Sequence, residues 1–208
     1  MTSTKRMTSA ALGAAAVIGL GLSVLPARAA YVVDMMEVAD PVLPHQTDVV
    51  ALGRGTIDLA GLSFDFGTLA MSRINPSGGR IITGIGNAAV YSGPISASTF
   101  GDGGLSGLSA ATSSGDPVGV DPAFVVVPFG YVSGNPLSGS SLYSGGTFRL
   151  LGVTPGTYTW TWGASADDSF TLVVSVPEPS TWAMMLAGFG LLGFAAMRRG
   201  KREPRLAV

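Results

Sequence analysis

Thr157-Tyr158-Thr159-Trp160-Thr161-Trp162 is the stretch that decides the fold class. Its period of two puts Tyr158, Trp160 and Trp162 on one face and three threonines on the other, as a half-buried strand requires. The aromatic face is expected in the core, because burial is what aromatic strand faces usually do. Before it, Thr154-Pro155-Gly156-Thr157 fits a type II turn, with Pro second and Gly third. After it, residues 164–168 form a polar loop and 169–174 (SFTLVV) a returning strand. Residues 147–151 lead into the turn, so the spacing predicts a three-stranded meander.

The same pattern recurs upstream, broken at Gly, Pro and Asp. Further strands are expected over 48–52, 56–66, 80–85, 88–91 and 124–127. In 56–66 the apolar parity flips, from Ile57 and Leu59 to Leu62, Phe64 and Phe66, which predicts a bulge or bend at Gly61. Segments 101–122 and 133–146, rich in Gly, Ser, Asp and Pro, read as long surface loops. The expectation is an all-β, Gly/Ser/Thr-rich antiparallel β-sandwich of about 8 to 10 strands.

The 208 residues suffice for about one domain. Between residues 30 and 175 lie eleven acidic residues and four basic ones, Arg54, Arg73, Arg80 and Arg149. That is a formal charge of −7, hidden by the −1 of the whole chain. An acidic region without lysine argues against nucleic acid as a partner, since phosphate neutralisation supplies most of that affinity. The chain has no cysteine, which excludes disulfides and thiolate metal sites.

Both ends look like targeting segments. Lys5 and Arg6 precede an uncharged apolar run over 10–25, and Ala27-Arg28-Ala29 puts small residues at the −3 and −1 positions of a signal peptide cut before Ala30. Residues 1–29 are thus expected to be a signal helix handled by the general secretion machinery and signal peptidase. At the other end, Val176-Pro177-Glu178-Pro179 precedes 18 uncharged residues, 180–197. As a helix these would cover about 27 Å, close to the hydrocarbon thickness of a bilayer. Trp182 suits an interfacial anchor, and Arg198, Arg199, Lys201 and Arg202 form the positive cluster kept cytoplasmic, with 203–208 as a tail. The prolines push Val176 and Glu178 toward extended conformations, the shape a membrane protease needs. The domain boundaries expected are therefore 1–29, 30–175 and 176–202.

Residues 176–202 closely resemble the PEP-CTERM sorting domain of Gram-negative bacteria, in the Val-Pro-Glu-Pro motif, the Trp, the Gly-rich apolar helix and the Arg-rich end. The resemblance implies recognition of Pro177, Glu178 and Pro179 by an exosortase, an integral-membrane transpeptidase-like protein. It implies residence in the inner membrane with a periplasmic domain, then release to the cell surface or the exopolysaccharide matrix. The same tail is also known under an ice-binding-protein C-terminal label, which describes the tail and not the domain it follows. DVVALGRGTIDLAGLSF (48–64) and LGVTPGTYTWTWGASADDSFTL (151–172) are similar to segments of other PEP-CTERM ectodomains of unassigned function.

The region between the ends is poor in chemistry. His45 is the only histidine and sits in a Pro-rich segment with no nucleophile elbow after it, so a Ser-His-Asp hydrolase is disfavoured. Scattered aspartates give no basis for a glycosidase pair. Asp102, Asp116, Asp121, Asp167 and Asp168 are hard oxygen donors that could serve calcium, but without EF-hand or nonapeptide spacing. Three threonines on one strand are too few for an ice-binding lattice without a repeat. No cofactor is implied. The reading is an exosortase-sorted surface or matrix protein with a non-catalytic domain. A carbohydrate- or calcium-binding adhesion module is the alternative and a secreted hydrolase the outsider.

Overall fold

The computed structural model describes residues 29–43, 45–96, 98–103, 107–163 and 168–176, with positions 187, 189 and 191. The expected signal helix and transmembrane helix lie outside the described residues, apart from those three positions. Among the described residues no helix is long and apolar enough to cross a membrane.

The described chain folds into two β-sheets. The first has six strands, β1 (Ala30–Ala39), β2 (Thr47–Gly55), β8 (Thr112–Gly115), β11 (Leu137–Tyr143), β12 (Gly156–Trp162) and β13 (Asp168–Ser175), in the order β12-β13-β1-β2-β11-β8. The second has seven, β3 (Ser63–Ala70), β4 (Arg73–Asn75), β5 (Arg80–Thr83), β6 (Gly86–Ser92), β7 (Leu108–Ser109), β9 (Val118–Asp121) and β10 (Phe124–Pro128), in the order β3-β6-β10-β9-β5-β4-β7. One helical turn, α1 (Phe148–Leu151), joins β11 to β12.

Alternation explains how the sheets meet. Tyr31, Val33 and Met35 of β1, Trp160 and Trp162 of β12, and Phe170 and Leu172 of β13 point inward from the six-stranded sheet. Ile81 of β5, Val118 and Val120 of β9, and Val125 and Val127 of β10 face them from the other, forming one continuous core. Trp160 packs edge-on against Phe170 and Phe100, with ring centroids 5.7 Å and 6.1 Å away. Each such side chain contributes about 1.5–3 kcal/mol through burial alone. The aromatic face read from 157–162 is therefore core, not a platform for sugars, and Thr157 and Thr159 are exposed.

Several expectations are corrected. The sheets are not wholly antiparallel, because β1 and β13 pair in parallel, from Ala30 opposite Ser169 to Met36 opposite Ser175. The described residues hold thirteen strands. The supposed loops 101–122 and 133–146 contain β7, β8, β9 and β11. In β11, Gly139 and Ser141 face inward among buried groups, so the strand lacks an apolar signature. Ser141 reaches the Ser72 hydroxyl (2.9 Å), which donates to the Gly84 carbonyl (2.6 Å). Segment 56–66 is a strand only from Ser63, and its register shift lies between Phe64 and Phe66. Gly61 occupies a turn with φ 79°.

Residues 148–151 form α1, with Thr147 as its cap, instead of a strand. Thr147 caps it by accepting from the Leu150 N–H (3.1 Å), Glu37 accepts from the Phe148 N–H (2.6 Å), and Gly152 ends it in the left-handed region, φ 66°. The meander thus reduces to the β12–β13 hairpin. The type II turn also fails. Gly156 has φ 156°, far from the value of about +80° at the third position of such a turn, and the Thr154 carbonyl accepts from the Tyr158 hydroxyl (2.9 Å).

Candidate functional site

Two places in the fold bear on function: the ends of the β1–β13 pair, next to the segments expected to direct targeting, and the outer face of the seven-stranded sheet.

The described residues begin at Ala29, one residue before β1. Ala29 is buried, and its carbonyl accepts from the Ser169 N–H at 3.2 Å. The Ala30 carbonyl accepts from the Thr56 N–H at 3.1 Å. The expected cleavage point between Ala29 and Ala30 is thus the first step of β1, while Ala27 lies outside the described residues. β13 ends at Ser175, and Val176 is exposed. Because the strands are parallel, Ala30 and Ser175 stand at opposite ends of the pair. Six residues of rise separate Ala30 from Met36, the partner of Ser175, or about 20 Å.

The polar residues singled out in the sequence are dispersed. His45 is exposed in the β1–β2 connection at φ 76°, with no hydrogen bond or ion pair among the described residues. Nearby, Asp40 accepts from the Leu43 and Val42 N–H groups, which lowers its carboxyl pKa. Asp116 accepts from the Ser138 N–H (2.9 Å). Asp121 is paired with Arg80 and also accepts from the Ala123 N–H (3.2 Å). Asp168 is buried at the start of β13 and Asp102 is exposed, while Asp167 lies outside the described residues. Among the described residues no three acidic or histidine side chains gather as a metal site would need.

The outer face of the seven-stranded sheet carries a groove of about 340 Å³. The strand registers align Arg73 of β4 with Ile82 of β5, Ile82 with Gly119 of β9, Gly119 with Val126 of β10, Val126 with Val90 of β6, and Val90 with Phe66 of β3. One row of residues therefore crosses six strands, with a guanidinium at one end and a phenyl ring at the other. Ala70, Ala88, Val90 and Val126 form a second apolar cluster on this face, separate from the core, with Ile82 and Phe124 packed against it. Short side chains in the central strands and long ones at the margins make the face concave. Arg73 is exposed and makes no ion pair among the described residues, whereas Arg80 is held by Asp121. Phe66 is 51% exposed. Sequence reading missed this row because its registers link residues up to about sixty positions apart. The only signal was that two of the four arginines of an acidic region flank one short stretch, 73–80.

A family model matches residues 175–199, from the last residue of β13 onward. The chain carries a PEP-CTERM protein-sorting motif. The motif abuts the folded sheet with no spacer, Ser175 belonging to both. It implies exosortase processing, and with it a membrane-associated partner, and membrane anchoring followed by export to the cell surface in a Gram-negative bacterium. Of the residues expected to carry it, Val176 is described. Pro177, Glu178, Pro179, the anchor Trp182 and the basic cluster Arg198, Arg199, Lys201 and Arg202 lie outside the described residues. No curated protein and no solved structure matches the chain.

Proposed function

We propose that this chain is cut by signal peptidase before Ala30, held in the inner membrane by residues 180–197, and processed by an exosortase at Val176–Pro179. Its two-sheet domain then acts at the cell surface or in the extracellular matrix as a binding or structural element without catalysis. The carrying observation is the sorting motif at 175–199, placed directly behind the last strand. A cut before Ala30 would leave the whole of β1 on the mature chain and remove Ala29, whose carbonyl accepts from the Ser169 N–H. The non-catalytic reading is supported by His45 standing apart from acidic side chains among the described residues, and by aspartates that serve backbone N–H groups and an arginine.

The test is the intact mass and terminal peptides of protein recovered from the cell surface, with and without a functional exosortase. Termini at Ala30 and near Pro177–Pro179, the latter only with the exosortase, support the reading. Retention of the C-terminal arginines on the surface protein would overturn it. The carbohydrate-binding alternative is favoured by one observation, the groove on the seven-stranded sheet.

A further inference from the structure

We propose that the groove crossing the outer face of the seven-stranded sheet binds an anionic polysaccharide chain, with Arg73 pairing a sugar carboxylate and Phe66 stacking against a sugar ring. The proposal rests on the surface placement argued above and deepens its binding alternative.

Shape comes first. The row from Arg73 to Phe66 crosses six strands, or five strand spacings, which is about 24 Å. A trough of that length suits a linear polymer better than a compact metabolite. Its floor of Ile82, Val90 and Val126 is apolar, and its margins set Arg73, Arg80, Asp121 and Thr68 beside the exposed apolar side chains of Leu69 and Met71. An acyl chain laid in an open trough would keep one side in water, so the trough does little for it. A pyranose ring fits one-sided contact, since its C–H face meets the floor while its hydroxyls stay in solvent or bond to the margin. Phe66 and Phe124 supply aromatic faces for that contact. The Arg80–Asp121 pair offers both donors and an acceptor to hydroxyl groups.

Charge then chooses among sugars. The region from 30 to 175 carries −7, which repels polyanions in general. Two of its four arginines nevertheless line this trough, and one of them, Arg73, has no carboxylate partner among the described residues. A planar guanidinium left free beside an apolar floor matches a planar carboxylate in two-point fashion. Arg54, on the other sheet, is already paired with Asp34 at 2.9 Å. The trough is thus a local cationic site on an acidic domain, complementary to a uronate-bearing chain.

The test is calorimetric titration of the full chain in phosphatidylcholine nanodiscs with oligogalacturonate, with a neutral galactan oligomer and with poly-glutamate. Oligogalacturonate is expected to bind about tenfold more tightly than the neutral oligomer, roughly 1.4 kcal/mol, and to weaken as salt rises. Arg73→Gln should remove that preference. Phe66→Ala should weaken both sugars, and its exposure on an edge strand keeps the core intact, as near-ultraviolet circular dichroism checks. Arg54→Gln should change nothing. The proposal is overturned by silence with both sugars, by an Arg73→Gln chain that still prefers the uronate, or by poly-glutamate binding as tightly as oligogalacturonate. Correct processing with a silent titration would remove only the groove. Uronate binding by a chain that is never processed would remove only the sorting reading.

Discussion

The rings of Tyr31, on the first strand, and Phe170, on the last, stack with centroids 5.5 Å apart. Their strands lie side by side and parallel in the middle of the six-stranded sheet. Parallel neighbours require a crossover connection, and here the whole of the intervening domain is that connection. The core therefore cannot close until residue 175 is free to pair. For a chain threaded through a membrane from its N-terminus, closure must wait for nearly all of the exported region. High contact order of this kind slows folding, because loop closure precedes the contacts that reward it.

Phe170→Ala should test that closing contact. The side chain is fully buried and touches both Tyr31 and Trp160. Truncating a buried phenylalanine typically costs about 3–5 kcal/mol. Urea denaturation of the purified chain, followed by near-ultraviolet circular dichroism, should show a loss of that order. A loss below about 1 kcal/mol would mean that β13 is not part of the core.

Tyr31 also predicts an alkaline limit. Burial raises its pKa from 10.0 to about 12, outweighing the hydrogen bond with Thr83. The fold therefore favours the neutral phenol. This contribution is fully present below pH 10 and is lost as pH rises through 12, a change of roughly 2–3 kcal/mol. Stability measured from pH 9 to pH 12 should fall more steeply in the native chain than in Tyr31→Phe. Parallel curves would show that the phenol is not desolvated.

Legibility followed the chemistry of each element. The strand 157–162 stood out because its two faces differ completely, and β2, β5, β6, β10 and β13 followed from shorter apolar runs. β11 was invisible because its inward positions include Gly139 and Ser141, which sit against Asp116, Thr83 and Ser72 rather than against apolar side chains. α1 depends on Glu37, 111 positions away, to satisfy the Phe148 N–H, and no local pattern encodes that. The parallel β1–β13 pair escaped for the same reason: only tertiary pairing sets it. The sorting motif was legible because it is a contiguous linear signal. The groove was not, since it exists only once six strands share a register.

Calcium should leave thermal stability unchanged. Asp116 and Asp121 are already engaged by Ser138 and Arg80, and the described acids do not converge. A ligand at 100 times its Kd would add about 2.7 kcal/mol, which is several degrees in a domain of this size. Differential scanning calorimetry of the purified chain in EDTA and in millimolar calcium should give coincident transitions. A rise of several degrees would show a calcium site that includes residues outside the described ones, such as Asp167.

Gly119 tests the register on which the groove depends. A Cβ there would come within 2.3 Å of the Ile81 carbonyl oxygen and 2.7 Å of the Ile82 Cα, both belonging to the neighbouring strand. Backbone cannot rotate away as a side chain can, so β9 and β5 would have to separate. Gly119→Ala should therefore cost about 1–3 kcal/mol by overpacking. Gly130 provides the contrast. It has φ 79° with nothing within 4 Å of an added Cβ, so Gly130→Ala meets only the backbone preference, about 1–2 kcal/mol. The two losses overlap in size, and the discriminating readout is where the damage falls. Amide exchange in Gly119→Ala should quicken in β5 and β9, whereas in Gly130→Ala it should change only around 128–131. Unchanged protection of β5 in Gly119→Ala would mean that Ile82 and Gly119 are not neighbours, and the row from Arg73 to Phe66 would be broken at its centre.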